Sequence, residues 1–108
     1  MRSLKKEKYS NGLESGSWYK CYQDYQWWLF RIYKYDEVEN FIYVDGITYA
    51  LDGDDIIEGS YSPNCVGLDG VKYGRWGTLM TTNIRKIGFS ELRIIMEKNS
   101  GCDFSRLI

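Results

Sequence analysis

Apolar and polar residues alternate most clearly between Gln26 and Tyr35. Trp28, Phe30 and Ile32 fall on one side of an extended chain there, and Trp27, Leu29, Arg31, Tyr33 and Tyr35 on the other. A period of two in a run rich in aromatic residues predicts a β-strand. With one face apolar and the other amphipathic, the strand belongs inside a sheet whose second face is covered in part. Ser17 to Gln23 predicts the strand before it. Trp18, Lys20 and Tyr22 oppose Tyr19 and Cys21; Gly16-Ser17 opens this strand and Gln23-Asp24 closes it. Asn40 to Leu51 reads as a hairpin, because Asp45-Gly46 is a preferred dipeptide for a two-residue type I′ turn. That register sets Val44 across from Ile47 and Ile42 across from Tyr49. Ile42, Val44, Ile47, Tyr49 and Leu51 then form a core face, and Phe41, Tyr43, Thr48 and Ala50 the opposite one. Trp18 to Leu51 holds twelve of the eighteen aromatic residues, and the rest of the chain is expected to be organised around it.

Downstream, Ile56 to Tyr61 predicts a further short strand and Ser62-Pro63-Asn64 a turn. Leu68-Asp69-Gly70-Val71 repeats the Asp-Gly hairpin signal. Lys72 to Gly77 mixes two basic residues, two aromatics and two glycines, which suits a bent strand around a packed Trp76. Thr78 to Ile87 has strand character from its threonines and Ile84. A helix is predicted to start at Phe89-Ser90-Glu91-Leu92, with Ser90 as cap, Glu91 at the dipole and Phe89 stapled onto Ile94. Leu92, Ile95 and Met96 share its apolar face, Lys98 lies in its last turn and Gly101 terminates it. The expected fold is α+β, mainly β: a small, strongly bent antiparallel sheet of four or five strands, an SH3-like partial barrel with one short C-terminal helix.

At 108 residues the chain has room for one domain with one core. Residues 1–15 are polar and without clear period and read as a loose basic arm, 16–101 as the β-rich domain, and 102–108 as a tail. No apolar run approaches a membrane span, and no apolar stretch follows the basic N-terminus, so neither a membrane segment nor a secretory signal is predicted. Cys21, Cys65 and Cys102 are too few and too scattered for a disulfide framework and read as reduced thiols in the cytoplasm of a host cell. There is no histidine, which removes Ser-His and Cys-His pairs and every His-ligated metal site. Asp52-Gly53-Asp54-Asp55 with Glu58 has the composition of a calcium loop. The fifth and sixth positions of that loop fall on Ile56 and Ile57, however, so a tight turn is expected and no metal or other cofactor.

Charge alters the picture. Residues 1–34 carry seven basic and three acidic side chains, 35–71 no basic and nine acidic, and 72–108 seven and three again. The net charge of −1 therefore conceals a strongly acidic middle: Asp36, Glu37, Glu39, Asp45, Asp52, Asp54, Asp55, Glu58 and Asp69. If these acids lie along one sheet edge, the edge favours a basic protein surface and opposes nucleic acid. The same acids would also keep that edge from pairing with other chains.

Gly16-Ser17-Trp18-Tyr19-Lys20 at the opening strand and Ser90 to Ile95 at the closing helix resemble small β-rich proteins of bacteriophages and mobile elements. In those proteins a GxWYK strand opens the domain and a Ser-Glu-hydrophobic segment closes it. The resemblance implies a phage-like origin, and many small phage proteins act by binding and disabling a host protein. The expected function is thus a non-catalytic protein-binding module that inhibits a host or defence protein with a basic surface. Its contact residues would be Asp36, Glu37, Glu39, Asp52, Asp54, Asp55 and Glu58, with Trp27, Tyr33, Phe41 and Tyr43 as aromatic anchors. One alternative is a nucleic-acid or nucleotide binder using Lys72, Arg75 and Trp76. Another is a structural component of a virion or other assembly.

Overall fold

The computed structural model describes residues 6–61, 65–72 and 78–99, with Ser60 and Tyr61 described by their backbone alone. Its strands are β1 (Trp18–Gln23), β2 (Gln26–Asp36), β3 (Phe41–Val44), β4 (Ile47–Asp52), β5 (Asp55–Tyr61), β6 (Cys65–Leu68), β7 (Thr78–Leu79) and β8 (Ile84–Lys86). A short 3-10 turn, Thr81–Asn83, precedes β8, and helix α1 (Phe89–Lys98) follows it. The protein is mainly β with one short helix, as expected, and the sheet is strongly bent and does not close. It has more strands than the sequence suggested, and β7 runs parallel to β6.

Strand β2 is the axis. Its first half pairs with β1 on one edge and β4 on the other; its second half pairs with β3. Strands β3 and β4 therefore follow one another along the same edge of β2. This corrects the hairpin expected over Asn40–Leu51. Val44 lies across from Ile32, and Tyr49 lies across from Leu29. Asp45-Gly46 bends one continuous course of chain and does not reverse it. Gly46 takes φ 79°, while the Asp45 amide still donates to the Arg31 carbonyl at 2.9 Å, so the ladder crosses the bend. The Asp45 side chain is buried against Arg31: Nε donates to Oδ2 at 3.0 Å, and Nη2 reaches the same oxygen. On the far edge, β5 pairs with β4 and β6 with β3. Strands β3 and β4 thus have β2 on one side and β6 and β5 on the other.

The buried side chains form two cores. Tyr19, Cys21, Phe30, Ile32, Tyr35, Ile42, Val44, Val66 and Leu68 pack inside the bend. Leu29, Tyr49 and Leu51, on the opposite face of the sheet from Phe30 and Ile32, pack against Ile87, Leu92 and Ile95. The core face predicted from Asn40–Leu51 is therefore split: Ile42 and Val44 belong to the first core, Tyr49 and Leu51 to the second. On β2 the alternation holds as far as Ile32. A register shift between Ile32 and Lys34 then returns Tyr35 to the same interior as Ile32.

Other local readings change in context. Residues 6–15 are not a loose arm: the backbones of Lys8 and Glu14 form an isolated antiparallel β-bridge, Leu13 is buried in the first core and Tyr9 packs edge-on to Tyr35 at 5.4 Å. Asp69-Gly70 does turn, with φ 50° and 97° and a Val71 amide to Leu68 carbonyl bond. It does not start a hairpin, because β6 already lies between β3 and the parallel β7. The N-cap of α1 is Gly88, without a side-chain bond, and Ser90 lies inside the first turn. Phe89 and Ile94 are both exposed, so no staple forms. The helix lies over a sheet face and is held there from both ends. Glu91 meets Lys20 at 2.9 Å and Arg85 at 3.1 Å; Asn99 donates to the Asp54 carbonyl and accepts from the Ile56 amide, each at 2.9 Å. The Arg85 and Lys20 bonds hold the Glu91 carboxyl down at about 2. No helix among the described residues is long and apolar enough to cross a membrane. The turn at Ser62-Pro63-Asn64, the segment 73–77, the terminator Gly101, Cys102 and the tail lie outside the described residues.

Candidate functional site

Two turns meet at the start of β2. Gln23 pairs with Gln26, leaving Asp24 and Tyr25 as the β1–β2 turn; Asp52 pairs with Asp55, leaving Gly53 and Asp54 as the β4–β5 turn. Since Trp27 lies across from Leu51, the two turns sit side by side on neighbouring strands. Both are anchored. Gln26 Nε2 donates to the Leu51 carbonyl at 2.5 Å, Gln23 Nε2 to the Thr78 carbonyl at 2.8 Å and Trp28 Nε1 to the Gln23 carbonyl at 3.1 Å. The second turn is tied to the helix by Asn99, and Lys98 lies 3.7 Å from Asp55.

Three aromatic residues stand out from this frame. Tyr22 and Trp27 are cross-strand partners with ring centroids 5.3 Å apart, yet remain 43% and 40% exposed. Their register places them on the face of Leu29 and Leu51, beyond the part that the helix covers. Tyr25 is 94% exposed and has φ 61°, beside Asp24 at φ 54°. Both central residues of the turn thus occupy the left-handed region, where an L side chain costs about 1–2 kcal/mol relative to glycine. A hairpin selected for stability alone would carry Asn-Gly or Asp-Gly there.

Of the sequence-derived candidates, Trp27, Asp52, Asp54 and Asp55 come together at this end. Asp52 follows Leu51, the partner of Trp27, and Glu58 is across from Ala50, so both belong to the opposite face of the sheet from Trp27. Asp36, Glu37 and Glu39 lie at the far end of β2. Asp36 accepts the Val38 and Glu39 amides, each at 3.0 Å, and Glu37 accepts from Ser10. Asp45 is buried with Arg31, and Asp69 is bonded to Thr81, which lowers its carboxyl below the ordinary range. The acidic middle of the chain therefore forms no single rim. Phe41 is buried, Tyr43 is half-buried with Lys34 over its ring at 5.8 Å, and Tyr33 stands exposed beside the β2 irregularity. Of the alternative nucleic-acid set, Lys72 is exposed, and Arg75 and Trp76 lie outside the described residues.

Compared with protein-family models, with curated proteins and with solved structures, the chain matches none. Tyr22, Asp24 and Tyr25 are not among the candidates drawn from sequence, where Gln23-Asp24 reads only as the close of a strand. The available signal was a polar pair between two aromatic strands with a tyrosine where glycine is favoured. Among the described residues no three thiol, imidazole or carboxylate groups converge as metal ligands. Burial pushes the Cys21 thiol up to about 12, well away from a reactive thiolate. The site presents the exposed Tyr22–Trp27 ring pair and Tyr25 at the end of the sheet that also carries Asp24, Asp52, Asp54 and Asp55.

Proposed function

We propose that the chain is a non-catalytic protein-binding module whose contact surface is the end of the sheet bearing the β1–β2 and β4–β5 turns. The observation that carries this is Tyr25, a large side chain 94% exposed on a backbone of φ 61°. It packs against little of its own chain and occupies a conformation that disfavours it. Such residues persist where something outside the fold's own stability retains them. Tyrosine and tryptophan are also the side chains that dominate protein interfaces. The neighbouring carboxylates favour a basic surface on the partner. The resemblance of the opening strand and closing helix to phage proteins supplies the setting: a phage-encoded protein that blocks a host or defence protein in the host cytoplasm.

The test is charge reversal. Asp52→Lys, Asp54→Lys and Asp55→Lys together should abolish capture of the partner from a host lysate and leave thermal stability about unchanged. Glu37→Lys with Glu39→Lys, at the far end, should leave capture intact. Capture that survives the first reversal, or is lost equally with the second, defeats the assignment of this surface.

A further inference from the structure

We propose that Asp52-Gly53 is a self-modification site, at which the folded chain converts aspartate to isoaspartate through a cyclic imide. In that step the Gly53 amide nitrogen attacks the carboxyl carbon of the Asp52 side chain. A C–N bond forms, and the carboxyl hydroxyl leaves with the amide proton as water. Solvent water then opens the imide at either carbonyl. Opening at one restores aspartate. Opening at the other leaves the main chain running through the side-chain carbonyl, longer by a methylene. Composition is unchanged, and the reaction consumes no oxidant or reductant. Glycine in second place permits the attack because it has no Cβ to crowd the approach.

The sequence offers this chemistry at Asn11-Gly12, Asp45-Gly46, Asp52-Gly53 and Asp69-Gly70. The fold holds the reacting groups of the other three. Asn11 Oδ1 accepts the Leu13 amide at 3.1 Å, and the Gly12 amide donates to the Tyr9 carbonyl at 3.0 Å. The Asp45 carboxylate is buried against Arg31, bonded to Nε and Nη2. The Asp69 carboxylate accepts the Thr81 amide and hydroxyl, and the Gly70 amide donates to Thr78 Oγ1 at 3.0 Å. At Asp52-Gly53, among the described residues, neither the carboxylate nor the glycine amide has a hydrogen-bond or ion-pair partner. Both residues are exposed, and a methyl group on Gly53 would meet nothing within 4 Å. The reaction needs no partner. It falls in the turn whose Asp54 carbonyl and Ile56 amide are bonded to Asn99, so its product alters the contact end of the sheet proposed above.

The experiment incubates the full chain at physiological temperature in mildly acidic buffer made with heavy-oxygen water. Each passage through the imide then leaves a heavy oxygen in the product. Protease digestion and mass spectrometry with electron-transfer fragmentation place the label and distinguish isoaspartate from aspartate. Synthetic peptides carrying the same four dipeptides, incubated alongside, supply the rate without the fold. Folding should slow Asn11, Asp45 and Asp69, relative to their peptides, at least about tenfold more than it slows Asp52, because two hydrogen bonds have to open first at each of them. Asp52→Glu keeps the charge but sets the carboxyl a methylene too far for the favoured ring, and it should remove the label from this turn. Equal slowing at all four positions, more label at Asp45 or Asp69 than at Asp52, or label that persists in this turn in Asp52→Glu overturns the proposal.

Discussion

The bend in the long strands depends on a buried ion pair, and removing one member should be far more damaging than removing both. The Arg31 and Asp45 side chains are 10% and 5% exposed, with Nε to Oδ2 at 3.0 Å. Asp45→Asn retains the shape and one acceptor but removes the negative charge that Asp45 sets against the buried guanidinium. Arg31→Met leaves the carboxylate in the same position and also removes the cation from the Trp18 ring. Breaking a buried pair in this way costs about 3–5 kcal/mol, because the surviving charge stays desolvated. Domains of this size are stable by only about 5–15 kcal/mol, so either single substitution should consume a large share. The double variant Arg31→Met/Asp45→Asn buries no charge at all. It should be less destabilised than the sum of the singles by at least about 2 kcal/mol. Guanidinium unfolding of the four proteins, followed by tryptophan fluorescence and extrapolated linearly, yields the cycle. Single substitutions costing under about 1 kcal/mol, or additive ones, would mean that Gly46 sets the bend and the pair does not.

Four further outcomes follow from particular residues. A methyl group at Gly67 would lie 1.7 Å from the Val71 carbonyl oxygen, so Gly67→Ala must push back the turn held by the Asp69, Gly70 and Val71 amides. Losing two or three of those bonds should cost about 2–4 kcal/mol in the same unfolding assay. The Glu91 carboxyl sits at about 2 when folded, against an ordinary 4.5, so its stabilisation is full above about pH 4.5 and is lost as pH falls toward 2. The stability difference between wild type and Glu91→Gln should shrink across that window; a constant difference would show that Lys20 and Arg85 do not hold the helix through this charge. Thr48 is fully buried, with its hydroxyl unpartnered among the described residues, so Thr48→Val should stabilise the protein by about 1 kcal/mol on thermal unfolding. Tyr25→Gly relieves the left-handed strain at some entropic cost and should raise stability by up to about 1 kcal/mol while weakening partner capture; a loss of stability would mean the ring supports the fold.

Side-chain periodicity made much of the fold legible. The faces of β2 up to Ile32, the strand at β1 and the apolar stripe Leu92, Ile95 and Met96 of α1 all follow from it. The candidate site was legible only in pieces. Asp52, Asp54 and Asp55 attracted attention as part of a charge run, but position along a chain does not say which end of a strand an acid occupies. Asp36 to Glu39 and Asp52 to Asp55 are close in sequence and stand at opposite ends of β2. Tyr22 and Tyr25 looked like ordinary members of an aromatic segment, since exposure is not written in residue type.

Which residues point the same way within a strand was settled locally, because the pleat of an extended chain has a period of two whatever lies beside it. Which strands became neighbours was settled by tertiary packing. Asp45-Gly46 has the composition of a chain reversal, and in an isolated segment positive φ at glycine would favour one. In the folded protein Arg31 draws the Asp45 carboxylate inward, and β2 offers ladder partners on both sides of the bend, so the chain continues along β2 without reversing. Local preferences of about a kilocalorie per mole yield to strand pairing and apolar burial along the whole of β2.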